Sequence, residues 1–215
     1  MLNFLGRLGL IYLPLNRSEA KLKRRIDAVC PGWSSRLHWK VFRKLLAKHP
    51  QVRNICMLGV YLGRDIAYMG MAMEEMHRDF RIVGVDMFQD VNTDDWPDAK
   101  RGMSWKEAGF GDPPNRDRAQ NNMDRLGIGS STEMVQSSME DFLNTTGKTF
   151  DLIYIDVSHD YETTKRAISL ARPRLSAEGI LVGDDYSNLG KWGVARAVQE
   201  LCPKHEVHYG WIWAA

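Results

Sequence analysis

From Asn54 onward the chain repeats one unit, a short apolar run followed by a segment of helical spacing. The runs are NICMLGV (54–60), RIVGVD (81–86), TEMVQS (132–137), FDLIYID (150–156) and GILVGDD (179–185), and helical spacing falls at about 63–78, 115–127, 160–173 and 191–201. Strands rich in Ile, Val and Leu are covered on both faces, and a helix between successive strands makes them parallel. The spacing therefore predicts an α/β fold built on a mostly parallel sheet with helices on both faces. Near the end, HEVHY and WIWAA around Gly210 read as a closing antiparallel hairpin.

Ahead of this pattern lies a segment of different character. Residues 1 to 52 carry eleven Lys/Arg against Glu19 and Asp27, a charge of +9, while residues 53 to 215 carry eighteen against twenty-five, a charge of −7. Residues 18 to 29 and 34 to 48 have helical spacing, each opened by a Ser suited to capping, with PGW (31–33) breaking between them. This divides the chain into a basic helical arm, 1–50, serving packing, oligomerisation or a lid, and a main domain, 51–215. The cationic side of the arm is either a solvated face or an attraction for an anionic substrate or lipid head group. No interleaving of aromatic and basic residues favours nucleic acid. The opening LNFLGRLGLIYLPL fits a packing or dimerisation segment, or an amphipathic contact with a membrane surface, better than a signal peptide, since Arg7 interrupts it. Cys30, Cys56 and Cys202 fall in no metal-binding or disulfide pattern, which predicts a reducing, cytoplasmic setting. A homo-oligomer is expected.

Residues 87 to 114 break the rhythm. They are long, polar and punctuated by Gly, Pro, Trp96, Trp105 and Phe110. Such a stretch in a compact α/β domain reads as a lid or substrate loop, and it follows the second strand, at the sheet edge where open α/β sheets bind ligands.

Chemistry-bearing residues collect at the same strand ends. Gly59 and Gly63 bracket a turn into a helix, placing backbone amides and a helix N-terminus toward a ligand; the same glycines also serve plain turn geometry. The spacing is GxxxG and does not meet the nicotinamide fingerprint GxGxxG. Asp86 ends the second strand, where a carboxylate can accept both hydroxyls of a ribose, or simply cap a turn. Asp156 ends the fourth strand and Asp184 and Asp185 the fifth. Three acids at neighbouring strand ends repel one another unless a cation or protons relieve them, and hard oxygen donors suit Mg²⁺. Adjacent residues of an extended strand point to opposite faces, so Asp184 and Asp185 converge only if the strand is already turning. Without a metal, Asp185 would cap the next segment and Asp156 would serve the substrate. His159, three residues after Asp156, can accept a proton near neutral pH, or sit exposed at a helix start capped by Ser158 or Asp160.

In order and spacing, ICMLGVYLG, IVGVD, FDLIYIDVSHDYE, RLSAEGILVGDDY and GVARAV resemble class I S-adenosylmethionine-dependent methyltransferases, in particular the macrocin-type branch of small-molecule and sugar O-methyltransferases. PGW and AQNNMDRLGI are similar to that branch too. The resemblance implies a Rossmann-like methyltransferase fold with a seven-stranded sheet. It implies that the turn Gly59, Val60, Tyr61 and Gly63 holds the methionine portion of the cofactor, with Asp156 nearby. Asp86 and Met87 then lie at the ribose, and Ser138 and Met139 by the adenine. Two positions depart from the family: Met57 stands where an acid is usual, and Asp65 where Ser or Thr is usual. Asp65 either takes over the cofactor's ammonium group or is a charge favoured by the helix dipole. Metal-dependent relatives carry acids resembling Asp156, Asp184 and Asp185, and catechol-type relatives carry a Lys base where this chain has His159. The resemblance thus implies O-methylation of a hydroxyl on a sugar or glycosylated natural product, with Mg²⁺ on Asp156, Asp184 and Asp185 and with His159 as base. Tyr186, Trp96 and Trp105 would form the substrate wall or fill the core. Two alternatives stay open: a metal-independent enzyme using His159 alone, and a non-catalytic scaffold, which the loss of acid at Met57 permits.

Overall fold

The computed structural model describes residues 17–91 and 100–215. One sheet runs in the order β3-β2-β1-β4-β5-β7-β6. Strands β1 (Asn54–Leu58), β2 (Arg81–Asp86), β3 (Thr132–Gln136), β4 (Phe150–Ile155) and β5 (Leu175–Gly183) are parallel. β7 (Ile212–Ala214) lies antiparallel between β5 and β6 (Glu206–His208), the hairpin expected around Gly210. The chain reverses direction across the sheet between β1 and β4, and that crevice opens at their carboxyl ends.

Helices α1 (Arg17–Val29), α2 (Arg36–Lys48), α3 (Arg64–Glu75) and α4 (Arg116–Leu126) cover one face. Helices α5 (Met139–Thr145), α6 (Tyr161–Ala171) and α7 (Val194–Leu201) cover the other. The strands feed the two cores alternately. Ile55, Met57, Leu152, Tyr154, Ile180 and Val182 point to the α1–α4 side, and Cys56, Leu58, Ile153, Ile155 and Leu181 to the other. This parity sets where the acids go: Asp156 and Asp184 continue the Tyr154 and Val182 rows, under α2 and α3.

The basic N-terminal helices are sheet cover. Ile26, Leu37, Trp39, Val41, Phe42, Leu45 and Leu46 are buried in the same core as the strands, and the buried Glu19 is paired with Arg43 at 2.8 Å. α2 is opened by Ser35, whose Oγ accepts the Leu37 N–H, and His38 closes a capping box by accepting the Ser35 N–H on Nδ1 at 3.1 Å. α5 was not expected: at seven residues it is too short to show a period, and its only signal is Ser138 accepting the Asp141 N–H. Among the described residues no helix is long and apolar enough to cross a membrane.

Candidate functional site

β1 stops at Leu58 because Gly59 turns left-handed, with φ +86°. No other residue fits. A Cβ on Gly59 would lie 1.7 Å from the Asp156 carbonyl oxygen, so the turn presses directly on the tip of β4. The ladder continues past the strand ends through Asp156 N–H to the Leu58 carbonyl (2.8 Å) and Asp184 N–H to the Ile155 carbonyl (3.1 Å), which holds the tips side by side. Tyr61 and Gly63 are left-handed as well, at φ +53° and +89°. Tyr61 has a side chain there, a strain of the kind that active-site turns store.

The turn's amides are used differently from the expectation. The Val60 and Tyr61 N–H groups both donate to one oxygen of Asp86, at 2.8 and 2.9 Å, and Phe88 N–H donates to the other at 2.8 Å. Asp86 therefore builds the turn, and ribose hydroxyls would share what remains of its lone pairs. Met87 is exposed and its carbonyl accepts from Gln136. Ser138 is engaged in capping α5, and Met139 is buried in the core, so any contact these two make with an adenine is through their backbone or the Ser138 edge.

Asp65, in the first turn of α3, is a carboxylate with one oxygen tied to Ser34 Oγ at 2.5 Å and the other buried without a partner. Burial pushes its pKa up to about 6, against the pull of His38.

The acids expected to gather are divided. His159 Nε2 stands 2.7 Å from Asp185 and 3.7 Å from Asp156, with the three side chains 17, 16 and 31% exposed. Asp156, His159 and Asp185 each offer a donor atom within 4.8 Å of the others. Asp184 is outside this group. Its carboxylate receives His38 Nε2 at 2.7 Å, and its second oxygen is buried without a partner. Backbone geometry sets the two acids apart, and the His38 contact holds Asp184 where it is. β5 ends at Gly183 and Asp185 adopts φ +52°, so two adjacent side chains leave the strand in different directions. Burial raises the pKa of Asp156, while His159 draws it down. Because His38 Nδ1 accepts the Ser35 N–H, the ring carries its proton on Nε2 and donates Nε2–H to Asp184.

Asp160 caps α6 through the Thr163 N–H, which starts the helix immediately after His159 and fixes the ring's position. Trp192, in the loop between β5 and α7, packs on the His159 ring at 4.6 Å. Tyr186 is less suited to a substrate wall than expected. Its hydroxyl bonds His205 at 2.9 Å and Gln199 at 3.1 Å, and the ring packs on the α5–α7 core. Trp105 stacks on Tyr61 at 5.0 Å and 16°, beside Trp33 and Phe110, and Tyr61 Oη donates to the Asp112 carbonyl at 3.0 Å. Trp105, Phe110 and Asp112 of the loop after β2 thus lie beside Tyr61 of the glycine turn. Trp96 is outside the described residues. His38, Ser34, Trp33 and Trp192 were not anticipated. Only Trp192 carried a local signal, an aromatic in a loop at the carboxyl edge.

Strand order, the glycine turn and an acid-tipped β2 define a class I S-adenosylmethionine-dependent methyltransferase. The chain belongs to the family described as a methyltransferase domain, which it matches over residues 56–186. No curated protein matches the sequence. Among solved structures it resembles cofactor-bound Rv0187 from MTB, at 19% identity and a TM-score of 0.61 over 96% of this chain and 92% of the other. It resembles the O-methyltransferase NovP at 15% and 0.62, over 83% and 78%. It also resembles the Bacillus cereus O-methyltransferase in complex with SAH at 14% and 0.57, over 95% and 92%. At these identities the likeness is one of fold.

Proposed function

We propose that the protein methylates a hydroxyl of a small-molecule acceptor, with a sugar or glycosylated natural product as the substrate class. The observation that carries this reading is His159 held between two carboxylates at the carboxyl ends of β4 and β5, 2.7 Å from Asp185 and 3.7 Å from Asp156. A base is what transfer to oxygen requires, because a neutral hydroxyl is a poor nucleophile. Bound S-adenosylmethionine supplies a methyl group on a sulfonium and departs as the neutral thioether S-adenosylhomocysteine. His159 takes the acceptor's O–H proton as the O–CH₃ bond forms, and Asp185 orients the ring and stabilises the imidazolium. The Gly59–Gly63 turn and Asp86 hold the nucleoside side. Asp65, with an unpartnered buried oxygen, would hold the ammonium group in place of the acid missing at Met57. Trp192 offers the acceptor an apolar face, and closure of the 87–114 loop excludes water. The sugar class is supported by the sequence resemblance. The cytoplasm is supported by three buried free thiols.

A divalent cation fits the carboxylates of Asp156 and Asp185, beside His159. When bound it would acidify the acceptor hydroxyl. The contact of His159 with Asp185 favours a second reading, in which the dyad alone supplies the base. Screening hydroxylated acceptors with wild type and His159→Gln, with and without EDTA, separates the two. The variant is expected to keep S-adenosylhomocysteine affinity and lose about 10²–10⁴-fold in kcat. Full activity in His159→Gln sinks the base assignment, and EDTA-insensitive wild type selects the second reading.

A further inference from the structure

The His38–Asp184 pair has no place in that mechanism, yet it is among the most enclosed ionisable contacts in the molecule, with the two side chains 6 and 10% exposed. His38 comes from α2, outside the residues matched to the methyltransferase family. We propose that His38 is a positioning residue that withholds Asp184 from the cation seat, so that a divalent cation is held by Asp156 and Asp185, with His159 in reach, and not by three carboxylates. The proposal rests on the cation reading of this site.

Four features support it. The ring is locked from both sides: Nε2 meets Asp184 at 2.7 Å, and Nδ1 accepts the Ser35 N–H at 3.1 Å, so rotating it away would cost both contacts and open the helix cap. The edge of Phe42 closes on the ring at 6.3 Å. The left-handed Asp185 sends its carboxylate to His159 while Asp184 follows the strand row beneath α2. Finally, the remaining oxygen of Asp184 is shut off from solvent, where a cation that keeps part of its water shell cannot follow it. What is left at the open edge is a seat of two carboxylates with the His159 base beside it. Two protein donors leave more positions for water and acceptor oxygens, and carboxylate oxygens suit Mn²⁺ as well as Mg²⁺.

The test is Mn²⁺ titration of the full chain by calorimetry and paramagnetic resonance, with S-adenosylhomocysteine binding measured on each sample. Asp185→Asn should weaken Mn²⁺ by at least about tenfold and Asp184→Asn by no more than about twofold, since only the first removes a donor. His38→Ala should free Asp184 and tighten Mn²⁺ by about tenfold, a gain that adding Asp184→Asn cancels. His38→Gln, whose amide nitrogen can replace Nε2–H, should behave as wild type. Equal losses in Asp184→Asn and Asp185→Asn overturn the proposal, and this comparison decides even if His38→Ala does not fold. A folded His38→Ala with unchanged Mn²⁺ affinity overturns the role of His38. Wild type that binds S-adenosylhomocysteine but no Mn²⁺ overturns the cation reading and the proposal with it, and leaves the cofactor site standing. Binding of neither overturns the functional reading as a whole.

Discussion

Gly59→Ala is expected to be among the most damaging single-methyl additions in the protein, for a reason other than its φ. The added Cβ would fall 1.7 Å from the Asp156 carbonyl oxygen and 2.7 Å from the carbon behind it. Carbon and oxygen approach no closer than about 3.3 Å even when weakly attracted, so β1 and β4 must part at their tips by about 1.5 Å. That separation breaks the Asp156–Leu58 ladder bond and strains the Gly59–Val85 bond, each worth about 1 kcal/mol. Left-handed alanine adds about 1–2 kcal/mol. The total is about 3–4 kcal/mol, at the upper end for point substitutions. Gly63→Ala is the control. It shares the left-handed backbone, at φ +89°, but its Cβ would meet only the terminal methyl of Met123 at 2.8 Å, which a flexible thioether can withdraw. That variant should lose about 1–2 kcal/mol. Urea unfolding resolves the difference: with a slope of about 2–3 kcal/mol/M, the midpoint should fall by more than about 1 M for Gly59→Ala and by no more than about half as much for Gly63→Ala. Equal midpoints for the two variants, or a Gly59→Ala loss under about 1 kcal/mol, would refute the close-approach argument.

Other consequences follow from hydrogen bonds at the opposite edge and at the α2 cap. Asp151 accepts the Arg53 and Asn54 N–H groups at 2.9 Å each and the Ser176 hydroxyl at 2.9 Å; burial opposes its charge, but these donors outweigh that and lower its pKa. A depressed folded pKa contributes stability above the unfolded value that is lost as pH falls, so Asp151→Asn should cost about 1–2 kcal/mol at neutral pH, with the gap to wild type closing below about pH 4 in denaturant titrations. A gap that widens in acid contradicts this assignment. Ser35→Ala should lower stability by about 1 kcal/mol through loss of the cap. It should also relax His38 while Nε2 still faces Asp184, which histidine NMR would register as a moved Nδ1 signal; an unmoved signal means the cap does not hold the ring.

Much of the architecture could be read along the chain because its signals are local. The apolar strands, the helical spacing between them and the Gly210 hairpin each depend on residues a few positions apart, and the structure places them within three residues of the expected ends. β5 is the exception: it begins at Leu175, upstream of the apolar run, because it continues pairing with β4 through a register shift at Phe150. Asp86, Asp156, His159 and Asp185 were legible for the same reason, since each stands where a strand ends and a turn begins.

What the sequence by itself determined is therefore the alternation that makes a parallel sheet, the glycine turn, and the set of acids and one histidine delivered to its carboxyl edge. The tertiary structure alone decided how those groups are shared. That Asp86 receives the turn's own amides follows from β2 lying beside β1. That Asp184 bonds His38, 146 positions away, follows from α2 packing across the sheet. Likewise, the parting of Asp184 from Asp185 depends on one left-handed residue. Partnerships between groups so distant in sequence are set by burial, because an enclosed carboxylate must find whichever donor the packing brings within reach.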